Sequence, residues 1–206
     1  MLSYKNELID LCWTSIHAKR LYMTDAMDEA VVLTAPQFEA YVEQLLKELG
    51  IGLEEFKTQR LEKLMGSDGE YEIDITARFE ALGAKFLVLI ECKHHKNPIK
   101  REIVQVLNDR LHAVGGHKGM IFATAPFQRG AVEYAHKHGI ALVQIADGKT
   151  CWISKSLDGR SKPPAWIPQY VGWLVRITAD GNIGHSLMSD KDPQKLLDRF
   201  REQLED

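Results

Sequence analysis

YEIDITARFEALGAKFLVLIECK, residues 71–93, decides how this chain is read. It contains two apolar runs, YEIDITARF (71–79) and KFLVLIECK (85–93), with acids set where hydrophobic side chains are expected. Asp74 interrupts the first run, and Glu91 and Lys93 close the second. Side chains on a strand alternate between faces, so Glu91 and Lys93 project together, as do Glu72 and Asp74. A turn at residues 80–84 lets the runs pair as a hairpin, which gathers all four charges on one patch. Carboxylates clustered at the end of a buried sheet repel one another unless positive charge lies between them. A divalent cation and the Lys93 ammonium are the candidates. Cys92 falls out of phase with Glu91 and Lys93 and is expected on the opposite face as a small core residue.

On the N-terminal side, Thr34 and Gln37 have capping-box spacing with Pro36 in the first turn, which predicts a helix. Phe38, Tyr41, Val42, Leu45, Leu46 and Leu49 form its apolar face, and Gly50 or Gly52 ends it. The charged stretch GLEEFKTQRLEKLMGSDGE (52–70) shows no clear period apart from a turn at 66–69. Beyond Pro98, residues 99–114 have helical spacing, with Ile103, Val106, Leu107, Leu111 and Val114 facing inward and Gly115-Gly116 as the stop. GMIFAT (119–124) reads as a buried strand, Gln128 to His138 as a helix ended by Gly139, and IALVQIA (140–146) as a further strand. Continuously apolar strands separated by helices imply parallel pairing through right-handed crossovers. The order predicts a mixed sheet with helices on both faces.

The outer segments have a different texture. Residues 1–33 form an N-terminal extension, helical over 1–30 with Leu8, Leu11, Cys12 and Ile16 on one stripe. Residues 34–150 form the core and 151–206 a C-terminal α+β extension. The latter has a linker at SLDGRSKPPAWIP (156–168), a strand pair at YVGWLVRI and NIGHSLM, and a helix opening at Asp192-Pro193. Trp152, Trp166 and Trp173 are read as a small peripheral core.

At 206 residues and 45% hydrophobic content, the chain suits one α/β domain with additions. No apolar run approaches the ~18 residues of a membrane span, and the first residues lack the layout of a secretion signal, so the cytoplasm is the expected compartment. Cys12, Cys92 and Cys151 are scattered, without the spacing of a zinc site or a disulfide framework. The net charge of −3 argues against non-specific coating of DNA, though not against a local basic groove. Lys93, Lys96, Lys100, Arg101, Arg110 and Lys118, opposed only by Glu102 and Asp109, make the middle of the chain such a region.

An acid two residues before a lysine is a weak signal alone, since Glu55–Lys57 and Asp147–Lys149 share it. Only Glu91–Lys93 ends a long buried strand with another acid on a pairable neighbour. In that context Ile73-Asp74-Ile75 followed by Ile90-Glu91-Cys92-Lys93 resembles the active-site signature of the PD-(D/E)xK nucleases, and within them the Mrr-like restriction endonucleases. The resemblance extends over residues 36–148. Phe38-Glu39 is similar to the family's helix-borne pair, Ser67-Asp68-Gly69 to the approach to the catalytic strand, and 121–127 and 140–148 to later strands. Two departures stand out: Ile73 replaces the proline of the superfamily's name, and Asp68-Gly69 leads into Glu-Tyr-Glu.

The resemblance implies a restriction-endonuclease-like three-layer α/β/α sandwich with a mixed central sheet, and metal-dependent hydrolysis of DNA phosphodiester bonds. Asp74 and Glu91, with the Cys92 carbonyl, would hold Mg²⁺ (or Mn²⁺), and Glu72 is the candidate additional ligand. Lys93 would orient the attacking water or stabilise phosphate charge, Glu39 would approach from the helix, and Gln105 is a further catalytic candidate. His94, His95, Lys96, Lys100 and Arg101 are candidate nucleic-acid contacts, and a homodimer is expected by analogy. The competing expectations are a catalytically inactive module of the same fold that binds nucleic acid or a partner protein, and a subunit of a larger defence or repair complex.

Overall fold

The structure is a computed structural model and describes residues 31–148 and 169–188. The expected helices at 1–30 and after Asp192, the linker, Cys12, Cys151, Trp152 and Trp166 lie outside those residues. By packing, the described residues fall into a larger unit, 32–145 with 172–188, and a small one, Val31 with 146–148 and 169–171.

Along the chain the described elements are α1 (Ala35–Leu49), β1 (Glu54–Met65), β2 (Glu70–Ala81), β3 (Ala84–Lys93), α2 (Arg101–Ala113), β4 (Lys118–Ala123), α3 (Arg129–Lys137), β5 (Ala141–Asp147), β6 (Tyr170–Ile177) and β7 (Ile183–Met188). The strands form one seven-stranded sheet in chain order. β1–β2 and β2–β3 are antiparallel, β3–β4 and β4–β5 parallel, and β6–β7 antiparallel. The mixed sheet, the hairpin and the parallel centre are as the sequence predicts.

Helix α1 begins as its capping signal requires. The Thr34 backbone N–H donates to Gln37 Oε1 at 2.8 Å, and Phe38, Val42, Leu45, Leu46 and Leu49 are buried. The hairpin turn is tight: Ala81 pairs with Ala84, and Leu82 and Gly83 both have positive φ, +53° and +74°.

Two sequence expectations are corrected. The charged stretch after Gly52 contains a twelve-residue strand, β1, whose residues alternate between half-buried and exposed. Its half-buried members are Phe56, Thr58, Arg60, Glu62 and Leu64, and the polar ones find polar partners, so the alternation is in burial and not in hydrophobicity. In α2, Val106 is 48% exposed while Val104 is fully buried. The buried stripe is Val104, Leu107, Asn108 and Leu111, and the polar Asn108 within it, whose Nδ2 reaches Tyr134 Oη at 3.3 Å, disguises the period.

The layers follow from side-chain partners. Thr58 and Arg60 bond to Glu43 and Glu39 of α1, so β1 ahead of Leu61 turns these side chains to α1, whereas beyond it Glu62 bonds to Thr76 and Arg78 of β2 and Leu64 packs on the core of the other face. The cross-strand partners of Thr58 and Arg60, Ala77 and Ile75, and Ile90 opposite Ile75, face α1 with them. Leu89 and Glu91 then face the other side by alternation. There Leu89 packs with Leu107 and Leu111 of α2 and Ala131 and Ala135 of α3, in one core that also holds Ile121 and Leu142. The result is helix α1 on one face and α2 with α3 on the other.

Candidate active site

The β2–β3 ladder runs from the turn as far as Ile75↔Ile90, one step short of Asp74 and Glu91. The β1–β2 ladder passes from Arg60↔Ile75 to Glu62↔Ile73, interrupted at the step between, where Leu61 has φ +48°. Asp74 therefore sits where its strand leaves β3. The Cys92 N–H donates to Asp74 Oδ2 at 2.7 Å, so a side chain takes over where the backbone ladder ends. The acid that interrupts the apolar run thus fastens the fork between two strands.

Glu91 lies on the α2 side, only 7% exposed. Its Oε1 accepts from Lys93 Nζ at 2.5 Å, and its Oε2 accepts from Arg110 Nη1 at 3.2 Å. Alternation along β3 produces the first contact, and the packing of α2 produces the second. Glu39 reaches the region from α1, held by Arg60 Nη2 at 2.8 Å. Burial and the neighbouring Glu91 push the Asp74 carboxyl above the usual carboxylate range, and Glu39 adds to this; the Cys92 amide and the Lys93 ammonium pull the other way. The structure thus brings Asp74, Glu91, Lys93 and Glu39 into one electrostatic neighbourhood. The Cys92 thiol is pushed far up by burial, with Asp74 and Glu39 adding to it, which makes it an inert neutral group.

The remaining candidates are more dispersed. Glu72 is exposed on β2, and Gln105 is half-buried on α2. Of the other acids ahead of Glu72, which are not candidates, Asp68 accepts from Tyr71 Oη at 2.7 Å and Glu70 pairs with Lys63 at 3.2 Å. His94, His95, Lys96 and Lys100 are exposed; the His94 ring packs beside Phe38, and the exposed Arg101 lies 4.9 Å from the Tyr134 ring centroid. Arg60 and Arg110, which hold two of the three acids, carry no site role in the sequence reading, where Arg110 figures only as one of the basic residues between 93 and 118. Each sits in a charged stretch where nothing distinguishes it from its exposed neighbours.

Among the described residues, no group of three or more His, Cys, Asp and Glu side chains forms a ready cage for a metal. A small hard cation that retains several waters needs only one or two carboxylates. Asp74 and Glu91 meet that requirement in number, and Asp74, whose ionisation burial and the neighbouring Glu91 make costly, is a group that a cation would relieve. Soft or nitrogen-seeking metals find no matching donor set here.

Comparison with known proteins adds the following. Residues 31–150 match the Mrr_cat family, described as a restriction endonuclease. A solved structure of a protein of unknown function, AF1548, is 30% identical over 50% of this chain and 54% of that one, with a TM-score of 0.43. The DNA modification-dependent restriction endonuclease AspBHI is 18% identical over 59% of this chain and 32% of that one, with a TM-score of 0.40. The chain thus aligns with about half the length of the first and a third of the second. No curated protein matches it.

Proposed function

Since the chain belongs to the Mrr_cat family of restriction endonucleases, we propose that it hydrolyses DNA phosphodiester bonds at the cluster of Asp74, Glu91 and Lys93, with Mg²⁺ as cofactor and Mn²⁺ as a substitute. The observation that carries this is the fork at Asp74. Two carboxylates from different strands, one of them costly to ionise, act on each other electrostatically at the end of a sheet, where a lysine is paired with one of them. Asp74, Glu91 and the Cys92 carbonyl would hold the metal, with Glu72 the nearest additional acid along β2. The metal would lower the pKa of bound water and polarise the phosphoryl oxygens.

The chain's own residues supply the rest. Lys93 is partly exposed, so its ammonium can turn from Glu91 to a water or a phosphate oxygen without leaving its strand. Glu39, fixed by Arg60, is placed to orient water from the α1 side. His94, His95 and Lys96 follow Lys93 directly, and they and Lys100 are exposed, which suits contact with the DNA backbone. Arg101 lies just beyond them, on the first turn of α2. A second copy would supply the second cut in duplex DNA. DNA and Mg²⁺ meet in the cytoplasm, the compartment proposed. Among the described residues no helix is long and apolar enough to cross a membrane.

One observation favours an inactive module of the same fold. Glu39, Asp74 and Glu91 are matched in number by Arg60, Lys93 and Arg110, so the cluster is near neutral without a metal. Incubation with plasmid and Mg²⁺ or Mn²⁺ separates the alternatives. The expected outcome is nicking or linearisation by the wild type and a loss of at least about a hundredfold in Asp74→Ala and Lys93→Ala, the scale seen when a charge-stabilising group is removed. Binding without cleavage in either metal would establish the inactive module instead.

A further inference from the structure

Glu91 is tied on both oxygens, by Lys93 at 2.5 Å and by Arg110 at 3.2 Å. Lys93 alone would pair this carboxylate. Arg110 comes from another layer, helix α2, and brings a second positive charge to the same buried group. A guanidinium cannot shed its proton to make way for a cation, so it opposes one electrostatically while it stays. It can, however, leave. Arg110 is partly exposed, and its planar fork matches phosphate oxygens as well as it matches a carboxylate.

Resting on the nuclease reading above, we propose that Arg110 is a positioning residue that keeps Glu91 closed to the metal until a DNA phosphate draws its guanidinium away, so that metal binding and DNA binding strengthen each other. Such coupling is reciprocal by thermodynamic necessity. Removing the Arg110 charge leaves Glu91 paired with Lys93 and makes the cluster more negative. Metal binding without DNA therefore tightens, and DNA no longer enhances it.

Mn²⁺ titration of the purified full chain, read by electron paramagnetic resonance, tests this. Four proteins are compared: wild type, Arg110→Gln, Arg110→Lys and Asp74→Ala. Each is titrated with and without a non-hydrolysable phosphorothioate duplex. Without DNA, Arg110→Gln is expected to bind Mn²⁺ about tenfold more tightly than wild type (about 1.4 kcal/mol), and Arg110→Lys within about twofold of wild type. The duplex is expected to tighten Mn²⁺ binding by the wild type and to leave Arg110→Gln unchanged. A merely loosened fold would shift the affinity the other way. Affinity that depends on Asp74 but not on Arg110 overturns this proposal alone; absence of Mn²⁺ binding in every protein overturns it together with the nuclease reading.

Discussion

Asp74 carries two opposed demands. Its carboxylate closes the fork between β2 and β3 through the Cys92 amide, yet burial and Glu91 make its charge expensive. A carboxyl raised in the folded state holds its proton more tightly there than in the unfolded chain. Its contribution to stability is therefore full below the unfolded value, and is lost as pH rises through the folded value. Asp74→Asn retains an acceptor for the Cys92 N–H and removes that loss. Because Asp74 keeps partial contact with solvent, screening limits the gain to about 0.5–1 kcal/mol at neutral pH. Denaturant titration should show the gain shrinking towards the unfolded carboxyl range, about pH 4, while cleavage is abolished. A variant no more stable than wild type at neutral pH would remove burial as the cause. Asp74 was legible in sequence because an acid in an apolar run is conspicuous. Arg110 was not, because nothing in its helix indicates that it reaches back to a strand 19 residues earlier.

At the scale of elements, the hairpin that brings Asp74 towards Glu91 turns on a residue poorly suited to it. Leu82 is fully exposed with φ +53°, beside Gly83 at +74°. A two-residue turn with positive φ at both positions favours Asn-Gly, and a non-glycine side chain in that region costs about 1–2 kcal/mol. Leu82→Asn should raise the unfolding free energy by about 0.5–1 kcal/mol and leave cleavage intact, read by thermal melting beside the plasmid assay. An unchanged melting temperature would mean that the strands, and not the turn, set the register. The sequence located this hairpin but missed β1. The hairpin's strands bury apolar rows, whereas the half-buried positions of β1 set Thr58, Arg60 and Glu62 against polar partners. Glu62 illustrates the cost and its offset: burial raises its carboxyl, but the Arg78 guanidinium and the Thr76 hydroxyl outweigh that and hold it below the usual range. Only the helix and the strand packed against β1 make such residues comprehensible.

At the scale of the molecule, a metal that binds the folded chain and not the unfolded one must stabilise the whole. At a tenfold excess of Mg²⁺ over its dissociation constant the gain is about 1.4 kcal/mol, which for a chain of this size corresponds to roughly 3–6 °C in melting temperature. The shift should be present in wild type, absent in Asp74→Ala, and reversed by chelation. A wild type insensitive to Mg²⁺ would favour the inactive module.

The sequence alone determined the order of helices and strands over the hairpin and the parallel centre, since burial of apolar rows imposes periods of 2 and 3.6 that survive in one dimension. It also singled out Asp74, Glu91 and Lys93 as candidates, because charges at core positions need a reason. Tertiary structure alone decided that β2 parts from β3 at Asp74, that Arg60 and Arg110 hold Glu39 and Glu91, and that a polar row makes a strand. Those are contacts between segments distant along the chain, and no local pattern encodes which charge will meet which.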